Sequence, residues 1–216
     1  MKTVCIIPIK SNSKRVHKKN FKKVQGKPLY HYILDKIKKC DFDNIYVDTD
    51  STAIKKFCKK KRIKIIHRIP KLATDKANGN DLLNYHSKII DADLYFQLFI
   101  TAPLLKIETI NNCIRILKIN NKYDSILTSK KLYSWFWFNK KPVNYKPNIL
   151  PRSQNAKPII QETTGLYGIR KTSLLKYKCR IGKIPYFYEV SDGENIDLDT
   201  KKDFQLFEFL LKKNRR

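Results

Sequence analysis

The feature that most restricts the fold is an alternation of short, charge-poor runs with longer stretches of helical period. Residues 4–9, 45–48, 63–67, 94–100 and 125–128 are rich in Ile, Val, Tyr and Phe, the composition of strands. Helical candidates lie between them at 30–39, 51–60, 80–90 and 107–120. Ser51 is placed to cap the second, and Pro103 suits the turn before the fourth. A later strand at 165–169 leads into a short helix from Thr172. The last helix, over 200–213, puts Phe204, Phe207, Leu210 and Leu211 on one face. Strands alternating with helices predict an α/β fold of three layers, with a mainly parallel sheet covered on both faces. At 216 residues and 42% hydrophobic content, the chain is read as one domain over 1–216 with a sizeable core.

One segment breaks the alternation. Residues 132–160 carry Trp135, Phe136, Trp137 and Phe138, then prolines at 142, 147, 151 and 158. Aromatics mixed with prolines suit an extended excursion, and exposed rings need a partner surface. The expectation is a small dimerisation arm in a homodimer; a lid folded over the sheet is the alternative.

No apolar stretch approaches the roughly 20 residues that span a bilayer, and the first ten residues lack a signal-peptide pattern. A soluble, cytoplasmic protein with no membrane partner is expected. Cys5, Cys40, Cys58, Cys113 and Cys179 have no metal-ligand spacing and read as reduced, hydrophobe-like thiols. The net charge of +27 invites nucleic acid as a partner. Yet only nine of the 46 basic residues are Arg, the side chain that reads bases and phosphates bidentately. The basic runs also lack interleaved aromatics. A solvated basic surface that attracts anionic substrates is the reading, with no specific nucleic acid; a basic nucleic-acid-binding protein is the rival.

Chemistry concentrates after the first strand, in Lys10-Ser11-Asn12-Ser13-Lys14-Arg15-Val16-His17-Lys18-Lys19-Asn20. Ligands of open α/β sheets bind beyond the carboxyl ends of the strands, where this loop would lie. Small polar residues among four lysines and an arginine suit a triphosphate, although the loop is no Walker A motif. A merely basic surface loop is the other reading. Asp48 and Asp50 form an Asp-x-Asp pair of the kind that holds Mg²⁺ or Mn²⁺ in a metal-dependent glycosyltransferase, or else cap and orient their loop. The histidines at 17, 31, 67 and 86 show no ligand spacing and read as structural or solvated.

The loop resembles the signature of the acylneuraminate cytidylyltransferases, Arg-x-x-Ser-Lys-Gly-x-Pro-x-Lys-Asn, with Ser13, Lys14, Lys19 and Asn20 at matching spacing. Gly26-Lys27-Pro28-Leu29, Val47-Asp48-Thr49-Asp50, Leu72-Ala73-Thr74-Asp75 and Thr101-Ala102-Pro103-Leu104 resemble later motifs in the same order. So do Pro151-Arg152-Ser153-Gln154, Gly165-Leu166-Tyr167 and Asn195-Ile196-Asp197-Leu198-Asp199-Thr200. The resemblance implies a Rossmann-like nucleotidyltransferase fold, and transfer of CMP from CTP to an acidic sugar, a nonulosonic or related acid, with release of pyrophosphate. It implies catalytic roles for Lys14, Lys19 and Asp199. Lys10, Asn12, Ser13, Lys14, Asn20, Thr74 and Asp75 would bind the nucleotide. Thr101, Arg152, Gln154, Gly165 and Tyr167 would bind the sugar. Asp197 and Asp199, alternating along a strand, would hold Mg²⁺, with Mn²⁺ as the substitute ion.

Several positions depart from the family pattern. Lys10 replaces its Arg, Arg15 its Gly and His17 its Pro, while Phe99-Ile100 stands where a Gln-Pro is usual. Glu162-Thr163-Thr164 occupies the place of a basic residue and an Asn. The nucleotide half of the signature is therefore better kept than the sugar half.

Overall fold

The computed structural model describes residues 1–13, 16–149 and 151–213. The chain runs β1 (Thr3–Ile9), a hairpin of β2 (Lys23–Val24) and β3 (Lys27–Pro28), α1 (Leu29–Leu34), β4 (Asn44–Thr49), α2 (Thr52–Lys60) and β5 (Lys64–His67). It continues through α3 (Gly79–Ile89), β6 (Leu94–Leu98), α4 (Ile107–Ile119) and β7 (Ser125–Leu132) to a second hairpin, β8 (Trp137–Phe138) and β9 (Lys141–Pro142). β10 (Ile159–Arg170), α5 (Lys171–Tyr177), β11 (Pro185–Glu189) and α6 (Lys201–Lys213) complete it. Seven strands form one sheet in the order β11-β7-β10-β6-β1-β4-β5. β10 is antiparallel to both neighbours and every other pairing is parallel.

β1 sits inside the sheet, and its apolar run is buried on both faces. Cys5, Ile7 and Ile9 enter the larger core with residues of α1, α2, α4 and α6. Val4 and Ile6 enter a smaller core with Leu83 of α3 and Leu174 of α5. Alternation along one strand thus divides the helices into two outer layers, the three-layer arrangement expected. Each of these five β1 side chains is fully buried, and a fully buried Val or Ile contributes about 1.5–3 kcal/mol. No helix among the described residues is long and apolar enough to cross a membrane.

The helix expected at 30–39 is broken after Leu34 and resumes as a single 3₁₀ turn, Ile37–Lys39. Lys36 turns inward there, and its ammonium donates to the carbonyls of Pro103 and Leu105. Tertiary hydrogen bonds override helical period at that point. The strand expected at 94–100 stops at Leu98, since Phe99 N–H bonds to Gly165 O at 3.0 Å and the chain then turns. Conversely, β7 and β10 extend past their expected ends and pair with each other from Leu132 and Ile159 inward. β11 was absent from the expected elements. It is an edge strand opened by Pro185, whose missing N–H is tolerated there.

The excursion at 132–160 thus begins and ends as sheet. Between lies the β8–β9 hairpin, turned by Asn139 and Lys140, both with positive φ as a two-residue primed turn requires. Trp137 is 57% exposed and Phe138 72%. Elsewhere, lysine ammoniums lie over Phe204, Tyr32, Phe57 and Tyr46 and cover apolar surface. The free cysteines at 5, 40, 58 and 113 are buried.

Gly168 of β10 faces Phe96 and Ile126 on its two neighbours. A Cβ there would come 2.7 Å from Phe96 Cδ1 and 2.8 Å from Ile126 Cγ2. Overpacking of this kind typically costs about 1–3 kcal/mol. Gly168→Ala should therefore lower the urea midpoint of unfolding, and an unchanged midpoint would refute this packing.

Candidate active site

The loop after β1 lies at the carboxyl edge of the sheet, beside the end of β4. Ser11 is fixed there by Asp50, which accepts from its N–H at 2.7 Å and its hydroxyl at 2.6 Å. Asn20 donates its amide to Lys10 O at 2.7 Å and so ties the far end of the loop to its start. A cleft of about 560 Å³ opens above, lined by Lys10, Asn12, Ser13, Lys19, Asn20, Thr74, Asp75 and Thr101 among others. Lys10 pairs with Asp75 across it at 2.5 Å.

A second cleft of about 320 Å³ shares Lys19, Phe99 and Thr101 with the first and adds Thr164, Arg180, Asp197 and Asp199. Lys19 stands on the common wall, 2.9 Å from Asp199 Oδ1. Asp197 and Asp199 lie in extended chain outside any strand. They still face one cleft, because Ile196 and Leu198, which alternate with them, are buried and Leu198 N–H bonds to Thr101 O at 2.9 Å. Asp199 does not cap α6. Thr200 and Asp203 do so reciprocally, with Asp203 Oδ2 accepting from the N–H groups of Asp199 and Thr200.

The Asp48–Asp50 pair is divided. Asp48 is buried, and it accepts from Arg68 Nε at 3.1 Å while lying 3.0 Å from His86 Nε2. Burial alone would raise its pKa, but the His86 hydrogen bond and the Arg68 charge prevail and hold it below the usual carboxylate range. Asp50 orients the first loop and Ser51 caps α2. Asp48 and Asp50 thus form no pair that shares a metal, and the glycosyltransferase alternative built on them is not retained.

Two expected sugar contacts have other surroundings. Tyr167 is 1% exposed, with its hydroxyl donating to Glu162 and its ring face under Arg180, so it supports the site from below. A Cβ at Gly165 would lie 3.2 Å from Ala102 Cβ, so this glycine permits close packing behind Thr101. Arg152 and Gln154 are exposed on the arm and line neither cleft. Lys14 lies outside the described residues.

Two cleft arginines escaped the sequence reading. Arg68 and Arg180 each follow a stretch without a motif, and no periodicity signals that they reach a cleft. Thr164 takes φ +53°, an outlier for a β-branched residue, inside the register break of β10 between Glu162 and Tyr167. Its hydroxyl donates to Asp197 Oδ2 at 2.7 Å, and that bond holds the strained backbone.

The residues fit a hard divalent cation. Asp197 Oδ1 is buried with no hydrogen-bond partner among the described residues, an oxygen suited to a cation. No group of three or more acidic, His or Cys side chains gathers among the described residues. Mg²⁺, however, commonly binds one or two carboxylates and completes its shell with substrate phosphates and water.

A family model described as cytidylyltransferase matches residues 4–213. The chain belongs to the cytidylyltransferase family. Among curated proteins it is 26% identical over 215 residues to an N-acylneuraminate cytidylyltransferase of Streptococcus agalactiae, covering 94% of this chain and 52% of that one. It spans about half the length of the first curated relatives it matches. A CMP-N,N′-diacetyllegionaminic acid synthase of Legionella pneumophila is 26% identical and matches 100% of this chain and 98% of its own length. A solved CMP:2-keto-3-deoxy-manno-octonic acid synthetase complexed with CTP superposes with TM-score 0.75 at 15% identity, covering 99% of this chain and 100% of that one. 4-Diphosphocytidyl-2C-methyl-D-erythritol synthase from Anaerococcus prevotii gives 0.64 at 15%, covering 98% and 96%. These superpositions show the shared Rossmann-like nucleotidyltransferase fold.

Asp48→Asn leaves Arg68 buried without a charge partner, a loss of about 3–5 kcal/mol. The Asp48 carboxyl titrates lower folded than unfolded, so its stabilisation is present above its unfolded value of 3.8 and is lost as pH falls below it. The stability gap between wild type and Asp48→Asn should stay constant above about pH 5 and close on acidification. Urea titrations from pH 3 to 7 would show this; a pH-independent gap would contradict the ionised pair.

Proposed function

We propose that this protein transfers CMP from CTP to an acidic sugar, a nonulosonic or related acid, and releases pyrophosphate. The observation that carries the reading is Lys19, a cation on the wall common to two clefts, 2.9 Å from Asp199. The larger cleft, with Lys10, Asn12, Ser13, Asn20, Thr74 and Asp75, suits the nucleotide. The smaller one, with Asp197 and Asp199, suits the sugar and the α-phosphate end of CTP. A sugar hydroxyl held at the junction attacks the α-phosphorus and the bond to the β-phosphate oxygen breaks. Juxtaposition and electrostatics carry most of such a reaction, because charge grows on phosphoryl oxygens.

Lys19 would stabilise that charge, and Asp199 keeps the ammonium aimed at the junction. Thr101 is held by Leu198 N–H on its carbonyl and lines both clefts. Arg68, immobilised by Asp48, would meet the nucleotide from the floor of the larger cleft. Asp197 and Asp199 would hold Mg²⁺, or Mn²⁺ in its place, and the ion when bound would supply Lewis-acid stabilisation of phosphate charge. The free thiols suit a cytoplasmic site of action. The rings of Trp137 and Phe138 on the arm suit pairing with a second copy.

Lys19→Ala should lower kcat/KM for CTP by about a hundredfold or more, the scale of losing one donor to a developing anion. Asp199→Asn should lower turnover by about tenfold or more, a change of roughly 1.4 kcal/mol in barrier. Pyrophosphate release with CTP and a panel of sugar acids measures both. Undiminished turnover in either variant, or full activity in EDTA, would remove that group from the mechanism. For the arm, sedimentation velocity should find a dimer that Trp137→Ser with Phe138→Ser dissociates. A wild-type monomer would refute the pairing.

A further inference from the structure

We infer that Arg180 is the residue that recognises the carboxylate of the acidic sugar. This assignment rests on the reading above that the smaller cleft receives that sugar. An acid entering a cleft lined by Asp197 and Asp199, carboxylates given in that reading to Mg²⁺ and Lys19, needs a cation of its own. Among the described residues, two cations line the cleft, Lys19 and Arg180. Lys19 is already paired with Asp199 at 2.9 Å. Among the described residues, the Arg180 guanidinium makes no hydrogen bond and no ion pair, and only its backbone N–H is engaged, by Asn80 Oδ1 at 2.9 Å.

The guanidinium is nonetheless held in place. Its central carbon lies 3.7 Å from the centroid of the Tyr167 ring and 5.6 Å from that of Phe99. Tyr167 is itself fixed, with its hydroxyl bonded to Glu162 at 2.7 Å. Gly79 leaves the space that Nη1 occupies, since a Cβ there would approach it to 2.6 Å. Asn84 completes the support by donating to Lys178 O at 2.7 Å, which pins the segment carrying Arg180 to α3. Stacking on a ring leaves the in-plane N–H groups of a guanidinium directed outward, and that fork matches a carboxylate through two parallel hydrogen bonds. Arg180 is therefore a preorganised donor set on the wall of the sugar cleft.

The test compares wild type, Arg180→Met and Arg180→Lys, using CTP with N-acetylneuraminic acid, N,N′-diacetyllegionaminic acid or 2-keto-3-deoxy-manno-octonic acid and the methyl ester of whichever acid is used. Arg180→Met should raise KM for the acid by about ten- to a hundredfold, the range for losing hydrogen bonds to a charged group. KM for CTP should change by less than about threefold, and the preference for acid over ester should collapse. Arg180→Lys should recover part of that preference, since it keeps charge but not the fork. An active wild type whose Arg180→Met variant keeps its preference, or loses CTP affinity instead, overturns the Arg180 assignment alone. A wild type that releases no pyrophosphate with any of the three acids overturns the transferase reading for them and this assignment with it. Should Arg180→Met fail to fold, as a melting curve reveals, the acid–ester preference of Arg180→Lys decides: unchanged from wild type, it refutes the assignment.

Discussion

Burial of β1 on both faces is the constraint from which the site follows. A strand whose Val4, Cys5, Ile6, Ile7 and Ile9 are all fully buried lies in the sheet interior and leaves it only at its end. Its parallel neighbours β4 and β6 finish at the same edge. Three segments, after Ile9, after Thr49 and after Leu98, therefore converge there. Parallel pairing brings Lys10, Asp50 and Phe99 together, although about 40 and 50 residues separate them along the chain.

That edge is tightened by polar bonds that each join distant parts of the chain. Asp50 holds Ser11, Asn20 holds Lys10, and Lys19 reaches Asp199 near the last helix. Buried Asp48 fixes Arg68 and His86 underneath. The strained Thr164 sits where β10 breaks register, and its bond to Asp197 couples that irregularity to the carboxylates. A strained residue bonded to a cleft carboxylate is expected where positioning serves chemistry.

Charge has two separate roles. Lysines such as Lys22, Lys27 and Lys64 lie over aromatic rings, and the many exposed lysines supply a diffuse attraction for anions. Lys19, Arg68 and Arg180 differ because each is held on the wall of a cleft, by an acidic partner or an aromatic ring. Immobilisation makes a surface cation into a selective one, since the ordering cost is met on folding and not on binding.

Much of this was legible from the sequence. The apolar runs marked β1, β4, β5 and β6, and helical period marked α2, α3, α4 and α6, because burial imposes those periods directly. The ordered motifs pointed to a cytidylyltransferase, and Lys10, Asn12, Ser13, Lys19, Asn20, Thr74, Asp75 and Thr101 do line one cleft. Only tertiary structure separated Asp48 from Asp50, sank Tyr167 beneath Arg180, left Arg152 on an exposed arm and added β11 at the sheet edge. It also chose Arg68 and Arg180 from nine arginines. Local pattern reports which residues must leave water; which polar group faces which partner depends on contacts between segments far apart in the chain, and periodicity carries no record of those.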